Sequence, residues 1–564
     1  MQEKARALSE ARPSAARAEL IAIQREITAR LKAEIRDTFG GLPPPVQVYY
    51  DEYWREISSF ERIASRAELL AACRAAQLVY VGDYHTLRAS QQAALRLLEE
   101  LSEGERPVVV ALEMVCATHQ RVLDAFLADR ITEREFLAAI EYHRTWDFHW
   151  EPYRAILEAC RERGLPVYGI NSEPSLHRPD RVIERDLQAA AVLDEVVARH
   201  PEALVFVFDG DLHVARDHLP LIVASRLRER GLRPEQVVVH QNAEPIYWQL
   251  AEAGLERLVD VVRIARGCYC MFSATPLVAL QSYVLWEHNH AELEDHSAPI
   301  WRGERWEQVD VTEQMHEIVH TLARFLGIEH PRLDDFEVYT THDLGFLEAL
   351  ARDRRFSPAM LEEIKRHVRR GESYFVPIAN VIYLADFSLY RAAEEAAHFL
   401  NTLLGGFDPE PRALRDAFYV RVVREALGFF GSRVLDPRRH CMSVEDFRRF
   451  LAEHKGRRLD PEGRAVRELA RLVLRHEEAM ARALAGERRR GPRIGAILRR
   501  PLELQDALAH ALGYIVGDKL YAAVLRGRVG RDEVRALFAD PLPPGRAEQL
   551  YRELRQRLAD EPHA

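Results

Sequence analysis

Two four-residue strings constrain this chain more than anything else in it: Gly82-Asp83-Tyr84-His85 and Gly210-Asp211-Leu212-His213. Each follows an apolar run, QLVYV before the first and ALVFVF before the second. Near-continuous apolar runs of this length read as strands buried on both faces, as in a parallel sheet. Each string therefore sets an acid and a histidine at the carboxyl end of a strand, where open α/β sheets collect ligands. One Gly-x-x-His alone says little, because 28 Gly and 23 His make roughly one such match expected by chance. A third copy, Gly327 to His330, closes a helical pattern and is that chance match. The shared context of the first two separates them from it.

From about residue 68 to 290 the chain alternates strand and helix patterns. Strands are expected at 77–82, 107–112, 166–170, 203–209, 236–241 and 260–266, with helices between them. Such alternation predicts a mostly parallel sheet flanked by helices. After about 300 the strand signals fade, and helical stretches run to the end, predicting a large all-α domain. Residues 14–38 read as one amphipathic helix, with Ser14 as N-cap and Leu20, Ile23, Ile27, Leu31 and Ile35 on one face. The expected organisation is an N-terminal helical arm (1–45), an α/β domain (46–290) and an all-α domain (291–564).

Composition narrows the classes of function. A net charge of −10 carries no nucleic-acid signature. The basic segment 487–493 has no interleaved aromatic residues and reads as a solvated loop. Six cysteines without a Cys-x-x-Cys pair fit reduced thiols. Cys268 and Cys270, on one face of a strand, read as small core residues. No apolar run reaches the ~18 residues that span a bilayer, and the N-terminus shows neither an apolar signal core nor a lipoprotein-type cysteine. The expectation is a cytoplasmic protein with no nucleic-acid and no membrane partner.

Polar endings recur along the expected sheet edge. The strand VALEM places Glu113 at its end, YGIN places Asn171, and the fourth strand ends in Asp209, Asp211 and His213. Two imidazoles and a carboxylate suit a divalent transition metal with positions open to water or substrate. Without a metal, a histidine beside a carboxylate is a general base whose tautomer the acid fixes. Asn171 is a candidate to orient a substrate carbonyl or a water. Gly82 and Gly210 let backbone approach a ligand with no Cβ in the way. Asp83 and Asp211 are candidate ligand-binding residues, although a strand-end Asp also caps helices.

Other motifs compete. His316-Glu317-Ile318-Val319-His320 matches the His-Glu-x-x-His zinc pattern on a helix. Its third ligand would be Glu337, Asp343 or Glu348, and none sits in a recognisable motif. The same helix carries a buried stripe of Met315, Ile318, Val319, Leu322, Phe325 and Leu326. Glu395-x-x-His398 has the spacing of half a di-iron helix motif, as have Glu287-x-x-His290 and Glu313-x-x-His316, a number that chance supplies. The acid–histidine cluster 288–296 reads as a solvated helix end.

The segments VGDYHTLRASQQ, VALEMVCATHQRVLDAF, WDFHWEPYRAILEACRERGLPVYGIN and FVFDGDLHV resemble the Tiki superfamily, and within it the ChaN-like, haem-binding-uptake branch. The resemblance covers roughly residues 70–245 and leaves the helical half unexplained. It implies a haem or iron-linked ligand, with Gly82, His85, Glu113, Gly210 and His213 as the matching positions. Other branches of the superfamily imply a metal-dependent protease or esterase. In the esterase branch the first-motif histidine, here His85, is the general base. Relatives commonly carry Glu where this chain has Asp83, one methylene shorter. The expected cofactor is haem or a divalent transition metal, held by His85, Glu113 and His213. The expected partner is a haem or small-molecule ligand, with a protein partner assigned to the helical half. The alternatives to haem or iron-linked binding are a metal-dependent hydrolase and an interaction scaffold working through that half.

Overall fold

The computed structural model describes residues 14–39, 43–146, 148–172, 181–291, 311–340, 344–385, 388–408, 412–486 and 494–561. Among them, residues 26–291 form one compact unit, and residues 14–25 with 311–561 form the other. The helix Ala15–Phe39 runs across that division. Its first turns belong with the C-terminal unit, where Ser14 Oγ donates to the Leu525 carbonyl (2.6 Å) and Gln24 Nε2 to the Val434 carbonyl (2.9 Å).

The first unit is built on an eight-stranded sheet. Its strands are β1 (Arg62–Ala64), β2 (Leu78–Asp83), β3 (Val108–Cys116), β4 (Val167–Asn171), β5 (Leu204–Gly210), β6 (Gln236–Gln241), β7 (Val261–Ala265) and β8 (Cys268–Met271). The order across the sheet is β1-β7-β8-β6-β2-β5-β3-β4. From β8 to β4 every neighbour is parallel, whereas β7 pairs antiparallel with β8 and with β1. The apolar runs read from the sequence are buried along their whole length in β2, β3 and β5. Val79, Val81, Val110, Leu112, Phe206 and Phe208 share one face and pack on Leu97, Tyr153 and Leu157 from the covering helices. Each such side chain removed from water contributes about 1.5–3 kcal/mol. The chain builds outward from β2 to β3 and β4, returns to insert β5 beside β2, then places β6 on the far side of β2. Such a reversal leaves a crevice at the carboxyl ends of the central strands.

The second unit is helical in bulk, as the sequence predicts. It also holds a three-stranded sheet, β9 (Glu337–Thr340), β10 (Tyr374–Val376) and β11 (Val381–Leu384), in the order β10-β11-β9. These strands are three or four residues long, too short to show a hydrophobic period. The helices Leu389–Gly405, Leu414–Leu435 and Leu502–Leu525 pack closely at its centre. Small residues set that closeness. A Cβ on Gly517 would overlap the backbone carbonyl of Ala426, and one on Gly513 would stand 2.7 Å from that of Val422. No helix among the described residues is long and apolar enough to cross a membrane.

The helical contact gives a direct test. Gly517→Ala should lower the unfolding free energy by about 1–3 kcal/mol, because neither helix backbone can move aside cheaply. Gly495→Ala meets nothing within 4 Å in a four-residue helix and should be neutral or stabilising by up to about 1 kcal/mol. Chemical denaturation of the two variants side by side measures both.

Candidate functional site

The two motifs meet because their strands are neighbours. β2 pairs with β5 in parallel, Gly82 opposite Asp209 and Asp83 opposite Gly210. β3 lies on the other side of β5, with Leu112 opposite Phe208, which carries Glu113 to the same edge. The two-residue period of a strand then sorts the polar ends. Asp83 falls on the face of Val79 and Val81, whereas Asp209 and Glu113 fall on the opposite face.

Gly210 marks the point of convergence. A Cβ built there would stand 3.3 Å from His85 Nε2, 3.3 Å from His213 Cδ2 and 3.4 Å from Glu113 Oε2. Its absence leaves room among the three side chains. The Gly210 N–H donates to Glu113 Oε2 (2.8 Å), and His85 Nε2 lies 3.7 Å from that same oxygen. Exposure at the site is uneven: the His85 side chain is 24% exposed, His213 10% and Glu113 5%.

Each histidine is held from behind by a buried acid. His85 Nδ1 donates to Asp83 Oδ2 (2.9 Å), and that carboxylate also accepts from Tyr153 (2.6 Å) and Gln91 (2.7 Å). His213 Nδ1 donates to Asp186 Oδ1 (2.5 Å), and Asp186 also accepts from Tyr49. With Nδ1 engaged in each ring, Nε2 is the nitrogen left to meet a ligand, as in carboxylate–histidine–metal arrangements. Trp146 and Phe148 stand against the His85 ring at 4.6 and 4.8 Å between centroids, and Trp286 stacks on Phe148.

The buried charges divide unequally. Burial, then the neighbouring Glu113 carboxylate, push Asp209 far above the usual carboxylate range. These surroundings favour the protonated form of Asp209, hydrogen-bonded to Glu113. Burial opposes the ionised form of Glu113 too, but His85, Arg185 and His213 outweigh it and hold its pKa near 2. Arg185 also donates to Glu113 Oε1. Burial likewise works against the imidazolium of His85. The Asp83 carboxylate, followed by Glu113, more than offsets it and raises the pKa.

A second layer comes from the helix Pro44–Glu56, which the sequence reading left unassigned. Pro44 at its first position and the spacing of Val46, Tyr49, Tyr50 and Tyr53 were the available signal. This helix delivers Tyr49 to Asp186 and Tyr53 to Asp211. Its Glu52 reaches His218 Nε2 (3.2 Å), and Tyr49 stacks on the His218 ring at 3.4 Å. Glu56 accepts from His240 Nε2 (2.8 Å) and, at 3.6 Å, from the Cys268 thiol, while His240 Nδ1 donates to Asp211 (3.2 Å).

The expected site residues divide accordingly. His85, Glu113, His213, Asp83 and Gly210 come together. Gly82 serves a neighbour: a Cβ there would overlap the Asp211 carboxylate. Asp211 in turn faces His240 and Tyr53. The Asn171 side-chain carbonyl accepts from the Ser172 N–H (2.8 Å), so it is engaged at the end of its own strand. Sequence reasoning missed Asp186, Arg185, Tyr49, Tyr53, Gln91, Tyr153 and His240, which lie on elements without a motif of their own.

Among the described residues, Glu113, Asp209 and His213 offer ligand atoms within 4.8 Å of one another, and so do Glu56, His240 and Cys268. His316, Glu317 and His320 form no such group. They do share a helix with the expected buried stripe. His316 packs on Phe336 (4.6 Å), and His320, half-exposed, pairs with Asp334 (2.7 Å). Glu348, once a candidate third ligand, is exposed and pairs with Arg352. Asp343, the segment 487–493 and the side chains of the 288–296 cluster lie outside the described residues. None of the six cysteines is in a disulfide, and five of them are buried.

Residues 69–196 match the family model for haem-binding uptake, Tiki superfamily, ChaN. This part of the chain is a ChaN-like domain. The matched stretch carries His85 and Glu113, while beyond it Gly210 ends a strand of the same sheet and His213 follows in the next turn. A structure of ChaN from Campylobacter jejuni, described as cofacial haem binding, is 16% identical over 32% of this chain and 86% of that one, with a TM-score of 0.26. The structure of the type III effector HopBA1 is 15% identical over 33% of this chain and 86% of that one, with a TM-score of 0.25. No curated protein matches the chain.

The layer behind the ChaN-like site predicts a pH dependence of stability. Burial opposes the His240 cation, but Asp211, Cys268 and Glu56 raise its pKa well above the ordinary histidine value. Its contribution is therefore complete below about pH 6.5, the unfolded value, and is lost as pH rises through the folded pKa. Glu56 behaves oppositely. Burial notwithstanding, His240 and Arg216 depress its pKa to about 2, so its contribution is lost as pH falls toward that value. Replacing His240 by Gln should cost about 3–5 kcal/mol and flatten the alkaline decline. Unfolding free energies from pH 6 to pH 9 for both proteins (an experimental range of about three units) measure the difference.

Proposed function

We propose that the ChaN-like domain binds a haem or iron-linked small ligand at its strand ends, with His85, Glu113 and His213 facing the ligand. The carrying observation is their convergence on Gly210, each imidazole held at Nδ1 by a buried carboxylate. The donor set fits iron. Imidazole nitrogen with one carboxylate is an iron-type ligand combination, and the carboxylates behind the rings raise the basicity of Nε2. The partly exposed ring of His85, flanked by Trp146 and Phe148, suits a flat, largely apolar ligand. Arg185, partly exposed beside Glu113, supplies a cation to balance an anionic substituent. Iron bound there supplies a Lewis-acidic centre, and the chain itself sets tautomer, orientation and access. Asp83 and Asp186 hold the rings, and Gly210 keeps the space between them clear.

A metal-dependent hydrolase is the second reading, and one observation favours it. Glu113 and Asp209 touch, yet one is held ionised and the other protonated. Two carboxyl groups pushed apart in this way are the usual division between a base and an acid. In that reading Glu113 takes the proton from water and His85 completes the base.

Absorption spectroscopy on the purified full chain separates the two. Titration with haem should give a shifted Soret band that His85→Ala abolishes and that Asp83→Asn weakens by roughly 10–100-fold. An unshifted spectrum overturns the haem assignment. Turnover of a chromogenic ester by the metal-loaded protein, lost by at least about 100-fold in Glu113→Gln, establishes the hydrolase instead.

A further inference from the structure

The C-terminal unit holds an open cavity of about 910 Å³ on the faces of its central helices. Three ligand-bearing side chains meet on its wall. Glu394 comes from the helix Leu389–Gly405, Glu425 from Leu414–Leu435 and His510 from Leu502–Leu525. One ligand atom of each lies within 4.8 Å of the others. Glu425 Oε2 stands 2.8 Å from His510 Nδ1. Three separate helices thus bring two carboxylates and an imidazole to one point.

A fourth group stands beside them. His398, one helical turn after Glu394, engages Nδ1 with Glu395 (3.2 Å), while its Nε2 is buried and has no hydrogen-bond partner. Gly428 makes the space for that nitrogen: a Cβ there would stand 2.5 Å from His398 Nε2 and 3.1 Å from Glu394 Cγ. A mostly buried imidazole with a carboxylate behind one nitrogen and nothing on the other is the arrangement of a metal-ligating histidine. An unpaired buried nitrogen is otherwise a cost that most proteins avoid.

The remaining contacts orient the donors without using them up. Tyr514 donates to Glu394 Oε1 (2.6 Å), and Arg439 donates to Glu394 Oε2 (2.7 Å). Each carboxylate oxygen has two acceptor positions, so Glu394 keeps capacity on both. Arg439 is itself fixed between Tyr390, Phe429 and Tyr514, at 4.8 to 4.9 Å from each ring. The donors therefore sit on rigid helices with their outer partners in place.

We propose that Glu394, Glu425 and His510, with His398 alongside, form a second metal centre of this chain, holding a divalent transition-metal ion at the wall of the cavity. The mixed oxygen and imidazole donors select ions of the Mn²⁺, Fe²⁺ and Zn²⁺ class over Ca²⁺ or Mg²⁺. The spacing Glu395-x-x-His398, unremarkable in sequence, gains its meaning from Glu425 and His510 arriving from other helices. Glu395 acts as a positioning residue through His398.

The test uses the full chain carrying His85→Ala and His213→Ala, which removes both imidazoles of the ChaN-like site. The protein is stripped with chelator, equilibrated with Zn²⁺ and passed through a desalting column before elemental analysis. It should retain about one equivalent of zinc, and adding Glu425→Gln or His510→Gln should reduce this to about a tenth or less. His510 is half-exposed on the cavity wall, so His510→Gln serves if Glu425→Gln fails to fold. Co²⁺ added to the same stripped protein should give visible absorption that His398→Gln alters. Failure of the background protein to retain zinc, or undiminished zinc in the Glu425 and His510 variants, overturns the proposal. Neither outcome bears on the ChaN-like site, whose two imidazoles are absent throughout.

Discussion

The pairing of β2 with β5 is the constraint on which the site rests. Parallel strands with Gly82 opposite Asp209 and Asp83 opposite Gly210 bring together two motifs more than 120 residues apart in the chain. A slip of one residue would turn every side chain of one strand to the other face. The core forbids that slip, because Val79 and Val81 must meet Phe206 and Phe208 on one buried face. The hydrophobic effect thus fixes the relative position of two imidazoles that it does not itself involve. Glycine at 210 completes the arrangement by occupying the convergence point with no side chain.

Buried charge is the second organising force. Asp83, Asp186, Asp209 and Glu113 are all at least nine-tenths buried, and an isolated buried carboxylate is strongly unfavourable. Each is therefore surrounded by donors: Tyr153 and Gln91 at Asp83, Tyr49 at Asp186, a shared proton at Asp209, Arg185 and a backbone N–H at Glu113. The helix Pro44–Glu56 exists in this role. Its Tyr49, Tyr53 and Glu56 pair with Asp186, Asp211 and His240. Removing one partner from such a set costs more than the interaction contributes, because the charge left behind has no water to turn to.

The C-terminal unit uses different means to reach a related chemistry. Its helices approach through Gly513 and Gly517, and that closeness brings Glu425 of one helix up to His510 of another. In the ChaN-like domain strand ends aim the donors, whereas here facing helix surfaces do. In both places a histidine is held by an acid at Nδ1, which leaves Nε2 directed away from it.

The sequence by itself determined the strand–helix alternation, the strands β2 to β6 within a residue or two at most boundaries, and His85, Glu113 and His213 as a set. These follow from local patterns: apolar runs, periods, and polar residues directly after a strand. The tertiary structure alone decided which acids hold those histidines. Asp186 sits inside an ordinary amphipathic helix, and the spacing that marks the helix of Tyr49 does not mark its partner, so nothing local pairs the two. It decided the role of Gly82, which makes room for Asp211. It also separated His316 and His320, a recognised motif with no third donor among the described residues, from His398 and His510, whose donors assemble only across helices. Period and composition report what one segment prefers; the partners of a buried charge come from whichever segments the core packs beside it.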